Sequence, residues 1–309
     1  MAVHQVENSF ILENEVFKVI VEPFQGGKIR SLVSKNTGQE YFYADRRNHF
    51  DQSSFSAHDI SGFDECFPTL SRGIYPEGAR KGRDLGDHGL LWQQQWAAVP
   101  IGNGLEMSVT LPGFDCTFHR TCHLGTNSLY LDYRIENHAG ESFKLIYSAH
   151  PMLYADETTR IFFPPEMDKA FIYSAVNVPD MKNLTWTSWP PPDCSQLSHP
   201  FTAQRHNALK VYSPALTSGK VLIHYQKLNE VLAVEFDCRV LRHLGYMVVQ
   251  GYNPLGQEDR DVFLGVEPAT SIGDDFDCAR KTETLLEIPP QGSMKFWIKF
   301  SLVSNHAER

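Results

Sequence analysis

The chain has 309 residues, of which 42% are hydrophobic and 21% charged, and its formal net charge is −9. This composition is that of a globular protein that can bury a core, and the length suits one large all-β domain or two average domains. The negative charge argues against binding to nucleic acid or to an anionic membrane surface, because both carry charge of the same sign. No stretch approaches the ~18 consecutive apolar residues that a membrane-spanning helix needs.

The predicted elements are mostly short strands separated by turn residues. In chain order, strands are predicted at 16–21, 28–33, 41–43, 129–135, 143–147, 221–225, 231–236, 262–266 and 294–302. Segments with the 3.6-residue period of a helix are nearly absent, and one short helix is predicted near 277–283. No repeat of fixed length occurs, which argues against a propeller. The pattern predicts an all-β sandwich or barrel, and because no shift in composition marks a domain boundary, we expect one domain over residues 1–309.

The cysteines and the first residues bear on the compartment. The six cysteines have irregular spacing and form no Cys-x-x-Cys pair, and no basic segment followed by an apolar run opens the chain. We therefore expect reduced thiols, a cytoplasmic location and no metal.

The most informative segment is Gly265–Thr270, which places the carboxylate of Glu267 directly after the apolar run 262–266. A desolvated carboxylate costs several kcal/mol unless it is paired or hydrogen-bonded. Pro268 has no backbone N–H, so we expect the strand to stop there and to hold Glu267 at its end. Taken alone, the residue fits a structural ion pair better than a catalytic role.

A second segment has the same arrangement, with a polar residue and then a proline after a β-like run. His150 follows the run 144–148 and precedes Pro151. Histidine titrates near neutral pH, and burial raises the pKa of a carboxyl group, so His150 and Glu267 would suit an acid/base pair. A single histidine at a strand end is nevertheless more often structural.

Two further segments carry candidate residues. In the first, His88 stands between Asp87 and Gly89, and Trp92 follows it. An indole ring suits the apolar face of a sugar. The structural alternative is that Asp87 only forms an Asx turn and that Trp92 only packs in the core. The second, Gly62–Thr69, contains Asp64.

His119 and His123 have the spacing of metal ligands on a helix. Here they fall in a predicted strand, where residues four apart lie ~13 Å from each other. That is too far to share one ion, so we predict no metal site there.

In their order along the chain, these four segments resemble the aldose 1-epimerase (galactose mutarotase-like) family. The matching motifs are the Phe-Pro segment at 62–69, the His-Gly motif at 87–92, the His-Pro motif at 148–153 and the Glu-Pro segment at 265–276. The resemblance covers residues 15 to 302 roughly. It implies a large antiparallel β-sandwich with its site in a concave sheet face, and an isomerase that interconverts the α and β anomers of a sugar without a cofactor.

The resemblance also implies residue roles. His150 would be the general acid, Glu267 the general base and His88 a sugar-binding residue. Further substrate contacts are expected from Arg72, Asp87, Trp92 and Asp64. The family's central sugar-binding aspartate would fall in the 177–206 segment, as Asp180 or Asp193. The expected partner is a small carbohydrate, and the protein would be a monomer or a homodimer.

Three alternatives stay open. Four basic residues of the irregular segment would suit an anionic sugar, or would simply form a solvated loop: Arg72, Arg80, Lys81 and Arg83. The protein would otherwise be a carbohydrate-binding module without turnover. A hydrolase or lyase on a similar sandwich would need a second acid facing Glu267, for which Asp64 and Glu65 are the candidates.

Overall fold

The computed structural model describes residues 2–44, 54–190, 201–252 and 261–303. The strands among them, numbered in chain order, are β1 (Ala2–Val6), β2 (Ser9–Glu13), β3 (Phe17–Glu22), β4 (Lys28–Ser34), β5 (Phe63–Cys66), β6 (Gly73–Ile74), β7 (Asp84–Leu85), β8 (Ala97–Ile101), β9 (Gly104–Leu111), β10 (Cys116–Leu124), β11 (Ser128–Asn137), β12 (Phe143–Leu145), β13 (Ser148–Tyr154), β14 (Thr159–Phe162), β15 (Lys169–Val176), β16 (Thr185–Ser188), β17 (Asn207–Tyr212), β18 (Lys220–Tyr225), β19 (Glu230–Phe236), β20 (His243–Gln250), β21 (Val262–Ala269), β22 (Leu286–Ile288) and β23 (Ser293–Val303).

These strands form two large antiparallel sheets. The larger has eleven strands in the order β1-β2-β3-β4-β5-β13-β21-β20-β17-β15-β16, and the other has eight in the order β14-β18-β19-β23-β11-β10-β9-β8. The all-β antiparallel prediction is therefore confirmed. Helix α1 (Phe276–Lys281) lies where the short helix was predicted, and the Asp275 side chain caps it by accepting the N–H of Cys278.

Most predicted strands have their observed counterparts within two residues at each end. The run 41–43 differs, because only Phe42 makes an isolated bridge, to Leu153. The predicted strand 143–147 ends at Leu145 and pairs with β22 instead of either large sheet. Among the described residues, no helix is long and apolar enough to cross a membrane.

Side chains alternate between two environments along the central strands of the larger sheet. Ala149 and Leu153 of β13, like Leu264 and Val266 of β21, point into the main core between the two sheets. The residues between them therefore point to the other face. His150 and Glu267 lie on that outer face, which carries the site described below.

A buried polar network ties the sheets together across the core. Arg120 of β10 donates to Oε1 of Glu65 at 2.7 Å, and both side chains are fully buried. The hydroxyls of Tyr133 and Tyr147 donate to the same carboxylate at 2.9 and 2.7 Å. Glu65 therefore faces the core and not Glu267, so the proposal of Glu65 as a second acid is wrong.

Replacing Arg120 with methionine should strongly destabilise the fold. It would leave a buried carboxylate without its cation, which costs about 3–5 kcal/mol of the free energy of unfolding. Urea denaturation measures the loss. The matched control is Arg134→Met, whose side chain pairs with Glu136 but is 40% exposed, and for which a much smaller loss is expected. Equal losses for the two variants would contradict this account of the network.

Candidate active site

His150 and Glu267 face each other from neighbouring strands. Ser148 pairs with Ala269, and Met152 pairs with Gly265. Continuing this register between the two pairs sets His150 opposite Glu267, so both side chains leave the same face of the sheet. Directly opposed residues of antiparallel strands have Cβ atoms about 4.5–5.5 Å apart. The register thus brings together the two residues that the sequence picked as an acid/base pair.

Both strands continue past the positions at which the sequence predicted their ends. β13 runs through Pro151 to Tyr154, and β21 runs through Pro268 to Ala269. The expectation that the two site residues occupy strand ends is therefore wrong. Each proline removes one backbone donor, and the recorded β13–β21 pairing is interrupted at just these positions. The sheet continues because each strand also pairs with its other neighbour, β5 or β20.

A pocket of ≈ 270 Å³ opens on this face of the sheet. His88, His150, Lys210 and Asp274 supply polar and charged groups at one part of its wall. The rest of the wall is largely apolar and is lined by Phe55, Ile60, Met152, Val176, Ala208, Leu209, Met247 and Phe263. A pocket with convergent polar groups on a mostly apolar wall is the usual form of a small-molecule site.

Glu267 is fully buried and is not itself among the residues that line the pocket, but it lies beside Lys210, which is. Lys210 of β17 places its Nζ 3.0 Å from Glu267 Oε2 and 3.1 Å from Asp274 Oδ1. Tyr212 donates its hydroxyl to the same oxygen of Asp274. One buried cation therefore joins two carboxylates, and these three groups keep one net negative charge at the pocket floor.

The Glu267 carboxylate is incompletely satisfied. Its distance to Lys210 is short, yet neither oxygen accepts a well-aligned hydrogen bond from any described residue. Burial raises the pKa of Glu267, the Asp274 charge adds to that shift, and Lys210 opposes it. A buried carboxylate with spare acceptor capacity and a raised pKa is a candidate for proton transfer.

The pKa of His150 is shifted in the opposite direction to that of Glu267. Burial lowers the pKa of its imidazole well below the usual value, and the His88 and Lys210 side chains lower it further. Its recorded contacts are ring contacts, edge-on to Phe55 at 6.1 Å and to His88 at 4.9 Å between centroids. The ring is therefore neutral near pH 7, and the proton affinities of His150 and Glu267 are drawn toward each other.

His88 is held in the pocket wall by an unusual turn. Its φ is +58°, and Gly89 follows at +77°. A Cβ on Gly89 would lie 2.2 Å from the carbonyl oxygen of Phe67, so only glycine fits there. The Phe55 ring stacks on His88 with centroids 3.5 Å apart, and Asp87 Oδ1 lies 3.3 Å from His88 Nδ1.

Trp92 does not offer a sugar platform. It is 1% exposed, packs edge-on against Phe55, and donates its indole N–H to the backbone oxygen of Asp87 at 2.9 Å. A substrate contact of Trp92 is therefore not supported, because the tertiary fold buries its ring against Phe55 and His58. Asp87 likewise does not line the pocket, and its carboxylate contacts His88 from behind.

Asp64 is also buried outside the pocket lining. It lies opposite His150 in the β5–β13 pairing, and Lys28 donates to its Oδ2 at 2.5 Å. Lys28 also donates to the backbone oxygens of Asp59 and Ser61, so this lysine fixes the segment that leads into β5. A direct contact of Asp64 with substrate is therefore not supported; its charge raises the pKa of His150 and so opposes part of the effect of burial.

The basic residues predicted to bind an anionic sugar lie elsewhere. Arg72 is 74% exposed, has Asp84 3.7 Å away and does not line the pocket, so the structure does not support it as a ligand there. Arg80 is buried and donates to the backbone oxygen of Phe114 and to Glu141. None of the four, Lys81 and Arg83 included, is among the described residues that line the pocket. Asp180 is exposed and does not line it either, and Asp193 lies outside the described residues.

Sequence reasoning missed several lining residues. Lys210 stands in the unremarkable strand sequence Asn207–Tyr212, where alternation predicts only that it faces away from the core. Asp274 could have been predicted, because it belongs to the same Glu-Pro segment as Glu267. Phe55 and Tyr173 gave no such signal.

Comparison with known proteins agrees with this fold. No family model matches the chain, and no curated protein does. Solved structures do match. A protein from Synechocystis sp. PCC 6803 has a TM-score of 0.74 at 16% identity, covering 99% of this chain and 100% of its own. A proposed aldose 1-epimerase from Escherichia coli K12 has a TM-score of 0.70 at 14% identity, covering 96% and 99%.

A galactose mutarotase-like protein from Clostridium acetobutylicum has a TM-score of 0.69 at 14% identity, and 98% of each chain is covered. At such identities the likeness concerns the fold. The protein thus has the fold of the galactose mutarotase-like sandwiches, over nearly its whole length, as the motif resemblance implied.

Replacing Lys210 with methionine should give a pH-dependent loss of stability. Without its cation, the raised pKa of buried Glu267 would rise further, so folding would favour the protonated carboxyl. The free energy of unfolding should fall by about 3–5 kcal/mol at pH 7.5, and by clearly less at pH 5, where protonation relieves the buried charge. Denaturant titrations at the two pH values measure the difference.

The control is Lys227→Met, which removes the partner of Asp156 from the surface, where the lysine is 64% exposed. Little change is expected at either pH. A loss for the Lys210 variant that is the same at pH 5 and pH 7.5 would contradict the coupling to Glu267.

Proposed function

We propose that this protein is an aldose 1-epimerase-like isomerase, which interconverts the α and β anomers of a sugar by opening and closing the ring. The observation that carries the proposal is the opposition of His150 and Glu267 on one face of the sheet, beside a pocket that His150 and His88 line. Burial raises the pKa of Glu267 and lowers the pKa of His150, which brings the proton affinities of the two groups closer together. The fold shared with galactose mutarotase-like proteins supports the same reaction.

The chemistry needs only two proton transfers. One group removes the proton from the O1 hydroxyl while the other delivers a proton to the ring oxygen, and the bond between C1 and the ring oxygen breaks. The open aldehyde rotates about the C1–C2 bond. Closure on the other face returns both protons, so no electrons or groups are gained or lost. In this scheme Glu267 is the base and His150 is the acid in those molecules whose imidazole is protonated, and each group regains its starting state.

The surrounding residues would prepare this pair. Lys210 holds the Glu267 carboxylate in place and favours its charged form. His88 is fixed by its glycine turn and stacked on Phe55. Its ring would donate a hydrogen bond to a sugar hydroxyl or accept one from it. Because Lys210 is already paired with two carboxylates, the described pocket favours an uncharged sugar over a phosphorylated or sulfonated one.

The reaction is measured by NMR exchange between the α and β anomeric signals of a panel of aldoses, after subtraction of the uncatalysed rate. His150→Ala and Glu267→Gln should each lower kcat/KM by about 10² or more, because each removes one of the two proton-transfer groups. His138→Ala and Glu287→Gln change the same residue types at exposed positions and should leave the rate unaltered.

Circular dichroism and urea denaturation establish that the site variants remain folded. The absence of acceleration for every sugar, neutral or charged, would refute the isomerase. Sugar binding without exchange would instead support the alternative of a non-catalytic carbohydrate-binding protein. Activity retained in both site variants would show that the assigned pair is wrong.

The dependence of kcat/KM on pH should be bell-shaped and narrow. The active pair holds one proton, so activity is lost below the raised pKa of Glu267, when both groups are protonated, and above the lowered pKa of His150, when both are deprotonated. The acid limb should therefore lie above the usual carboxyl value of 4.5, and the alkaline limb below the usual histidine value of 6.5.

His88→Asn should move the alkaline limb to higher pH, because His88 lowers the pKa of His150. The profile is measured in buffers of constant ionic strength. An alkaline limb that does not move in this variant, or that lies above pH ~7 in the parent protein, would contradict the described electrostatics.

A further inference from the structure

We infer that the substrate is a neutral oligosaccharide, whose reducing-end sugar occupies the pocket and whose next sugars lie in a groove lined by Trp186. This inference rests on the proposed function, since it extends the same site. The groove has a volume of ≈ 960 Å³ and is lined by residues of β15, β16 and α1. Tyr173 and Ser174 line both the pocket and the groove, so the two are neighbouring parts of one surface.

The position of Trp186 follows from the sheet register. Trp186 pairs with Phe171, Phe171 with Tyr212, and Tyr212 with Gly245, which pairs with Glu267. These residues form one row across the outer face, from the proposed catalytic pair to the last strand. At about 4.8 Å per strand, Trp186 lies ~19 Å from Glu267 along the row. A sugar beside Glu267 would reach Trp186 only through further sugar units.

A bulge in β15 connects the pocket to the groove. The register shifts between Ile172 and Ser174, so Tyr173 is the extra residue of that strand. Its hydroxyl donates to Asp275 Oδ2 at 3.1 Å, and Asp275 also caps α1. Bulges re-aim a side chain at the edge of a site. Tyr173 thus forms the boundary over which a glycosidic link would pass.

The groove has the parts that recognise a sugar. Trp186 is 43% exposed and Leu184 is 59% exposed, although both lie in a groove and not on a convex surface. Phe171 supports the indole edge-on at 5.6 Å. Flat aromatic faces suit the apolar faces of pyranoses, while the polar groups around them bind hydroxyls. Asn183 uses its carbonyl oxygen for the Ala175 N–H, which leaves its two amide donors for such a role.

The charges around the groove select an uncharged ligand. Asp275, Asp277 and Glu283 line it, against Lys281 alone among the described lining residues. Lys169 lies 5.0 Å above the Trp186 ring, outside that lining. A phosphorylated, sulfonated or uronic sugar would meet carboxylates, whereas neutral hydroxyls donate to them. The same preference came from the pocket floor, so both parts of the surface favour a neutral chain.

The experiment compares anomer exchange across oligosaccharides of one to five units with the same reducing-end sugar, because the bound chain must extend from Glu267 to Trp186. Three series serve as probes: glucose with the cello-oligosaccharides up to cellopentaose, glucose with the malto-oligosaccharides up to maltopentaose, and xylose with its β-1,4-linked oligomers up to the pentamer. In at least one series, kcat/KM should rise about tenfold with chain length. Trp186→Ala should remove that gain for the longer sugars and leave the monosaccharide rate within about twofold. Trp297→Ala, which truncates a 36% exposed tryptophan of the other sheet, should change neither.

A binding measurement separates this inference from the proposed function. Saturation-transfer NMR with the same sugars detects occupancy of the groove even if no exchange is catalysed. Length-dependent binding that Trp186→Ala abolishes would support the groove even where the isomerase proposal fails. If monosaccharides are exchanged but kcat/KM does not rise with chain length in any of the three series, the oligosaccharide inference is refuted, while the isomerase proposal is retained. If Trp186→Ala changes only the self-association of the protein, measured by sedimentation, and not sugar binding, the oligosaccharide inference is also refuted.

Discussion

The strict alternation of side chains along the central strands is the constraint on which this structure depends. β13, β21, β20 and β17 each give one face to the core between the two sheets, and only the intervening residues reach the outer face. A slip of one residue would move His150 into the core and expose Ala149. The hydrophobic core therefore fixes the position of the site. The two proposed proton-transfer groups are held by strands inside an eleven-stranded sheet, which is the kind of rigid support that precise proton transfer requires.

The outer face keeps buried charge where packing alone would place apolar residues. Glu267 and Lys210 are almost completely buried, and their pairing with Asp274 compensates only part of the cost of desolvation. The core network of Glu65 and Arg120 differs, because tyrosine hydroxyls complete the hydrogen bonding of that carboxylate. An incompletely satisfied buried group is better explained by a ligand than by stability. The same row of outward-facing positions continues to Trp186, so one geometric feature relates the proposed pair to the proposed oligosaccharide groove.

Much of the architecture could be predicted because alternation and turn residues are local signals. The predicted strands and the short helix correspond closely to observed elements, and the motifs led to His88, His150 and Glu267. Other assignments failed because the position of a residue near a site motif in the sequence does not determine where its side chain points in the fold. Trp92 was expected to contact the sugar, yet its ring is buried against Phe55 and His58. Arg72 belongs to the same irregular segment as the site and nevertheless points into solvent. Lys210 was missed because a lysine in an alternating strand is an ordinary surface residue until the fold places two carboxylates beside it.

The sequence by itself determined the all-β class, the likeness to the aldose 1-epimerase family, and the identity of an imidazole and a carboxylate suited to exchange protons. These depend on periodicity and on short motifs, which are local properties of the chain. Only the tertiary structure decided that His150 and Glu267 stand opposite each other, that Lys210 lies between Glu267 and Asp274, and that Glu65 turns to the core while its neighbour Asp64 does not. These facts depend on strand register and burial. Both arise from pairing between segments far apart in sequence, and no local pattern encodes them.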